Sequence, residues 1–314
     1  MGKVAFIFPG QASQYSGMGK ELAEKYPAAR AIFDEADKTL GFSISKICFE
    51  GTEEELKQTA YTQPAILTVS VAALWALSEK RIGADFVAGH SLGEYSALVA
   101  AGSLNFADAV KLVHKRGKYM QEAVPAGQGA MAAILGLSPA VVADACKRAA
   151  EGGICAPANL NSPEQTVISG EAAAVKRAVE IASQLGAKRA VMLPVSAPFH
   201  CSLMKPAQDR LAVDLHGLQF GKPHVPVACN VDAALIADGE SSRDALIRQV
   251  TGAVKWEQSI RVLIAQGVRT FIEVGPGKVL CGLMRQIDRG AKCLNVGDEA
   301  SLQKTLEHLK QPTV

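Results

Sequence analysis

Apolar positions along the chain fall into two alternating patterns. A near-continuous apolar run at 3–8 (KVAFIF) is broken by Pro9-Gly10, and 85–88, 225–230 (VPVACN) and 268–275 (VRTFIEVG) read as further buried strands. That is the pattern of strands buried on both sides of a parallel sheet. Segments with helical spacing lie near 18–27, 29–39, 52–79, 92–101, 107–122, 242–250, 257–266 and 278–288. Thr52 and Glu55 stand at capping-box spacing, and Pro64 predicts a split of the 52–79 segment into two helices. Strands alternating with helices imply an α/β layered fold with a mostly parallel sheet.

Between Pro125 and Pro194 the order changes to strand 129–135, helix 138–151, strand 154–160, strand 165–169, helix 171–185 and strand 188–193. That βαββαβ order is the ferredoxin-like arrangement. It predicts a small domain, 125–195, inserted into a large discontinuous α/β catalytic domain made of 1–124 and 196–314. A cleft between the two is the expected ligand site. The chain shows no internal repeat or low-complexity tract, and the tail after Gln311 is expected to fray.

Composition narrows the function classes. With 314 residues, 48% hydrophobic and 20% charged, the chain reads as a soluble globular protein with a substantial core. A net charge of +2 argues against a protein that coats nucleic acid. Seven cysteines without a CxxC pair or close Cys/His clustering look neither like a disulfide framework nor like a zinc site, so no metal is expected. Scattered thiols suit a reducing cytoplasm, the expected location. KVAFIF starts so soon after Met1 that no signal peptide fits. The longest apolar run, PAILTVSVAALWAL, is too short and too interrupted to span a bilayer.

The candidate chemistry sits at GHSLG (89–93), between the apolar run Phe86-Val87-Ala88 and the helical EYSALVAAG. A GxSxG string alone turns up by chance in roughly one chain in ten of this length. A strand before and a helix after make it an elbow that throws the serine hydroxyl outward and aims a helix N-terminus at a reacting carbonyl. Ser91 therefore reads as a nucleophile, against the plainer reading of a serine that completes a turn. Such a serine needs a base. Of the six histidines, His90 adjoins the serine on a sharp turn where side chains diverge. His114 and His308 lie in helices, and His216 and His224 lie in loop-like sequence. His200 closes VSAPFHC just after the last strand of the insert, where the chain returns to the cleft. It is the best-placed base, with a purely structural histidine as the equal alternative.

With these residues in hand, the chain resembles the malonyl-CoA:acyl-carrier-protein transacylases of bacterial fatty-acid synthesis. The resemblance spans essentially the whole length. Its motifs, in order, are FPGQASQ (8–14), TQPA (62–65), GHSLGEYSAL (89–98), RGKYMQ (116–121), NSPEQTVISG (161–170), PFH (198–200) and EVGPGKVL (273–280). It implies an α/β-hydrolase-like body with a ferredoxin-like insert, and a monomer whose partners are an acyl carrier protein and malonyl-CoA or CoA. No cofactor, nucleic acid or membrane is implied. By the resemblance, Ser91 attacks the thioester, His200 moves the proton, and the backbone carbonyl of Gln249 orients His200. Backbone N–H groups of Gln11 and Leu92 form the oxyanion hole. Ala12 stands where a glycine is common, which argues against a positive φ there, and Ala253 replaces a common proline. Arg116 would bind the malonyl carboxylate, since a guanidinium matches a carboxylate in a two-point pair. Asn161 would line the cleft or, equally, make an Asx turn before Pro163. Phe199 would crowd an α-methyl group on the acyl chain, or simply pack between domains. EVGPGKVL lacks the spacing of a phosphate loop and reads as a tight turn beside the site.

Two other enzyme or binding readings fit less well. A serine hydrolase of the α/β-hydrolase type needs an acid between Ser91 and His200 at a strand end, and none stands there convincingly. A carrier-binding scaffold with a dead site has no reason to keep Ser91, His200, Gln11 and Arg116 together. A free-standing protein is expected rather than a module of a multienzyme.

Overall fold

The computed structural model describes residues 2–195 and 197–310. The expected fraying after Gln311 lies outside the described residues. The chain opens with β1 (Lys3–Phe8), then α1 (Lys20–Lys25), α2 (Pro27–Leu40), α3 (Ile44–Glu50), α4 (Glu53–Lys57) and α5 (Thr59–Glu79). β2 (Phe86–Gly89) leads into α6 (Gly93–Ala100) and α7 (Phe106–Glu122). Next come β3 (Gly129–Leu135), α8 (Pro139–Ala150), β4 (Cys155–Ser162), β5 (Gln165–Glu171), α9 (Ala172–Gln184) and β6 (Arg189–Met192). The rest is α10 (Lys205–His216), β7 (Val227–Ala228), β8 (Leu235–Ile236), α11 (Gly239–Gln249), α12 (Trp256–Ala265), β9 (Val268–Val274), α13 (Val279–Ile287), β10 (Lys292–Val296) and α14 (Glu299–Lys310).

The first sheet runs β10-β9-β1-β2-β7-β8, parallel except for the β7–β8 pair. β1 and β2 sit at its centre, and their apolar runs are buried on both faces. Because β9, β1, β2 and β7 share one direction, their C-terminal ends open onto the same edge. The second sheet runs β4-β5-β3-β6 and every neighbouring pair is antiparallel. This is the strand order that a βαββαβ chain produces, with Val142 and Cys146 of α8 and Val175 and Ala178 of α9 clustered with Ala132, Ile134 and Ile168 of the sheet. β4 is tied to the body: Val254 N–H donates to Ala158 O and Leu160 N–H donates to Val254 O, both at 2.8 Å.

Several sequence expectations change. The capping box forms at Thr52 and Glu55, but the helix breaks at Gln58 and continues unbroken through Pro64. Proline lacks the N–H that would serve the Ala60 carbonyl. His114 supplies the missing donor from α7, its Nδ1 2.8 Å from Ala60 O. α5 is therefore 21 residues long, enough by length and composition to cross a membrane, yet 78% of its most apolar window is buried in the fold. His216 ends a helix rather than lying in a loop. Cys281 and Cys293 are joined as a disulfide between α13 and β10, a single staple where none was expected.

Candidate active site

The loops after β1 and β2 meet a long cavity of about 480 Å³. Its lining includes Gln11, Ala12, His90, Ser91, Asn161, Phe199 and His200, with Leu280 and Leu283 of α13 on one wall. The strand-to-helix turn at 89–93 exists because two of its positions admit no side chain. A Cβ on Gly89 would sit 1.9 Å from Gly93 C, and one on Gly93 would sit 2.1 Å from Phe8 O. Ser91 itself takes φ 51°. A non-glycine residue in that region costs on the order of 1–2 kcal/mol. Of the six non-glycine residues described with positive φ, three (Ala12, Ser91 and His200) line this cavity. Strain of this kind persists where surrounding contacts over-determine it. Ala12 adopts φ 78° despite its side chain, contrary to the expectation from its replacing glycine.

Ser91 Oγ lies 2.7 Å from His200 Nε2, and His200 Nδ1 lies 2.9 Å from the Gln249 carbonyl. The carbonyl can only accept, so Nδ1 carries the proton and Nε2 faces the serine as an acceptor. Burial, reinforced by the Arg116 charge, pushes the His200 pKa down to about 3. The imidazole is therefore neutral at any ordinary pH, with Nε2 free to accept.

Arg116 is fully buried, unlike the solvated arginine its helical position would suggest. Its Nη2 donates to Ser91 Oγ at 3.2 Å and to Gln249 Oε1 at 3.0 Å, and its Nη1 donates to Gln63 Oε1 at 2.8 Å. Two of these partners are neutral amides and the third a hydroxyl. No carboxylate forms an ion pair with it among the described residues. Buried Glu94 acts on the Arg116 charge and the Tyr95 ring lies 5.4 Å away, so an anionic guest would be its first close ionic partner. The guanidinium is not itself among the residues lining the cavity and meets it at Ser91 Oγ.

Gln249 acts through both ends. Besides its backbone carbonyl, its side-chain Nε2 donates to Ser91 O at 2.9 Å and to Glu94 Oε2 at 2.7 Å. Glu94 is buried, and burial raises its pKa to about 7 against the opposing hydrogen bonds from Gln249 and Asn230. Leu92 is the N-cap of α6, at the helix end where N–H groups lack intrahelical acceptors. Gln11 follows β1 on the cavity floor.

Asn161 sits where β4 slips register against β5 between Leu160 and Ser162. Such bulges re-aim side chains beside functional sites. Its Oδ1 accepts from His90 Nε2 at 2.8 Å instead of closing a turn at Pro163, which has no N–H to offer. His90 is thus a bridge between the two sheets, its ring 5.5 Å from that of Trp256, and burial lowers its pKa. Phe199 is buried on the cavity wall. In the EVGPGKVL turn, buried Glu273 accepts the N–H groups of Leu280 and Cys281 at 3.0 and 2.8 Å and fixes the start of the helix that forms the opposite wall.

Gln63, Glu94 and Asn230 were not singled out in the sequence. The first two lie inside TQPA and GHSLGEYSAL, so a signal existed. Asn230 ends the apolar run 225–230, and its only signal is its place at the C-terminal end of a buried strand.

A serine–histidine pair at the edge of a parallel sheet is equipment for acyl transfer through an ester, and the family described as the acyl transferase domain matches residues 5–304. The malonyl CoA-acyl carrier protein transacylase of Bacillus subtilis is 50% identical over 312 residues, covering 99% of this chain and 98% of that one. The protein of the same name from Escherichia coli K12 is 52% identical over 289 residues, 91% of this chain and 93% of its own. The crystal structure of an acyl carrier protein S-malonyltransferase from Vibrio cholerae superposes with a TM-score of 0.94 at 47% identity, over 96% of this chain and 99% of that one. A type II PKS acyl-carrier protein in complex with its malonyl-transacylase gives 0.95 at 47% identity, over 98% and 99%. The chain belongs to the malonyl CoA-acyl carrier protein transacylase family.

Proposed function

We propose that this protein moves a malonyl group from malonyl-CoA to the phosphopantetheine thiol of an acyl carrier protein through a malonyl-Ser91 ester, supplying malonyl-ACP for fatty-acid synthesis. One observation carries the reading. Nucleophile, base and a carboxylate-seeking cation converge on a single atom, Ser91 Oγ.

The first half-reaction begins with His200 Nε2 taking the Ser91 proton as Oγ attacks the thioester carbonyl. Negative charge develops on the carbonyl oxygen and is met by the N–H groups of Gln11 and Leu92, each worth ~2.7–4 kcal/mol in comparable sites. The C–S bond then breaks and the imidazolium returns the proton to the CoA sulfur. In the second half the carrier's thiol gives its proton to His200, attacks the malonyl-Ser91 carbonyl, and Ser91 leaves with that proton. Arg116 binds the malonyl carboxylate. Because Arg116 also disfavours the His200 imidazolium, a bound carboxylate offsets that charge and strengthens the base when substrate is present. Phe199 sets acyl size, and Asn161 lines the cleft from the 125–195 insert. The reading includes a monomer working in the cytoplasm with no resident cofactor and no call on nucleic acid or membrane.

Docking of the carrier is assigned to the small sheet. Lys188 pairs with Glu164, Arg148 with Asp144 and Arg177 with Glu151. Their neighbours Lys147, Lys176 and Arg189 make no ion pair among the described residues, and so stay available to an acidic partner.

Intact-mass spectrometry tests the reading. Brief exposure to malonyl-CoA should add one malonyl group, which leaves when carrier protein is supplied. An adduct lost equally fast to water alone would mark a hydrolase instead.

A further inference from the structure

Asn230 lies two residues past β7, the strand beside that of the nucleophile, and is fully buried. The β2–β7 ladder has its last rung at Ala88 and Ala228. Past that rung the side-chain amide of Asn230 takes over. Its Nδ2 donates to the Gly89 carbonyl and its Oδ1 accepts the Ser91 N–H, each at 2.7 Å. One planar group thereby closes the short span that holds Ser91 at φ 51°, with the donor and acceptor that a peptide would offer in a sheet. The amide is anchored in turn. Asn230 N–H donates to Glu94 Oε2 at 3.2 Å, and Asn230 O accepts from Lys255 N–H at 3.0 Å. Glu94 also receives Gln249 Nε2, which donates as well to Ser91 O. Ser91 is gripped at its N–H by Asn230 and at its carbonyl by Gln249, and Glu94 joins the two grips.

We propose that Asn230 is a positioning residue for acyl transfer, whose side-chain amide clamps the strained elbow and keeps Ser91 Oγ within reach of His200. This rests on the reading of Ser91 as the acylated nucleophile. The clamp occupies the Ser91 N–H, so the oxyanion falls to the N–H groups of Leu92 and Gln11.

The geometry asks for a donor and an acceptor in one plane. Alanine offers neither. Aspartate keeps the acceptor but lacks the donor until it is protonated, when its O–H can serve the Gly89 carbonyl. The charged and titratable groups around position 230 are Glu94, Arg116, His200, Cys229, Asp232 and Lys255. Burial beside Glu94 favours the protonated form of an introduced carboxyl, and His200, pushed down to about 3, stays neutral as the pH is lowered.

The test compares full-length wild type, Asn230→Ala and Asn230→Asp in malonyl transfer, with circular dichroism and melting curves on each. Asn230→Ala should lower kcat about 100-fold while KM for malonyl-CoA stays within about threefold. Asn230→Asp should lose about tenfold at about pH 8 and regain most of that, relative to wild type, by about pH 5.5. Glu94, raised to about 7, titrates in the same window, so each variant is compared with wild type at the same pH. Acid recovery with circular dichroism and melting unchanged across that range is a readout that a merely structural asparagine would not produce, and it decides the matter even if the alanine variant does not fold. A kcat within about threefold of wild type in both variants overturns the clamp, whatever the melting temperatures. So does an Asn230→Asp loss that is unchanged by pH. Failure of the wild-type chain to form a malonyl adduct is a separate result, and it removes the reading of Ser91 and the clamp together.

Discussion

The two sheets contribute to the cleft in different ways. In the parallel sheet, β1, β2, β7 and β9 all end at one edge, and each end delivers something chemical. Gln11 follows β1, Ser91 follows β2, Asn230 follows β7, and the Glu273 turn closes β9. The antiparallel sheet sends its strands in opposite directions, so no edge collects strand ends of one kind. It offers a face instead, and it took a bulge in β4 to bring Asn161 to His90. Parallel strands concentrate helix N-termini and free N–H groups, while antiparallel strands supply a wall whose side chains alternate.

The largest expected effect falls at the parallel edge. Ser91→Ala should abolish the malonyl adduct and cut transfer by about 10⁴-fold or more. Intersecting initial-rate lines in the wild type, together with full activity in the variant, would break the picture of a covalent intermediate. Next in size is Arg116→Ala. Leaving a malonyl carboxylate buried without its partner costs ~3–5 kcal/mol, or about 10²–10⁴-fold in malonyl transfer. Acetyl transfer should fall far less, and Arg116→Lys should recover only part of the loss. The Arg116 charge depresses His200, so its removal moves the acid limb of acetyl transfer to higher pH. In the wild type kcat/KM should show no histidine inflection above about pH 5. Equal losses for the two donors would make Arg116 structural.

At the wall the effects should be smaller. Asn161→Ala frees His90 Nε2 from one hydrogen bond, worth ~1–3 kcal/mol if the donor stays buried, so transfer should fall about tenfold. A loss as large as that of Ser91→Ala would erase the contrast between the sheets. Smallest of all, charge reversal at Lys147, Lys176 or Arg189 should raise the KM for carrier protein about two- to fivefold at low salt, and less as salt screens it. The KM for malonyl-CoA should hold steady. Carrier kinetics unmoved by all three reversals would place docking elsewhere.

The contrast also explains what the sequence could show. β1 was legible because burial on both faces leaves a near-continuous apolar run after Lys3, and β9 because its Phe271, Ile272 and Val274 are buried despite Arg269 and Glu273 among them. The insert was legible because its alternating strands and helices are short and regular. α10 was missed although Ala207, Leu211 and Leu215 repeat at helical spacing, because the polar residues between them mask the stripe. At the site, His200 could be placed by where the chain re-enters the cleft. The clamp at Asn230 could not, because its partners are peptide groups on another strand and no side-chain pattern announces them. Pro64 misled for a related reason: the hydrogen bond that serves the orphaned Ala60 carbonyl comes from His114, 54 positions from Ala60.

That dispersal of partners has a consequence for how the protein forms. Ser91 meets His200 across 109 positions of sequence, Asn230 across 139 and Gln249 across 158. Closing such long loops costs entropy that is recovered only when the contacts are made, so sites assembled this way arrive late in folding. During refolding from denaturant, helical signal should return first, and capacity for serine acylation should trail it as the final kinetic event.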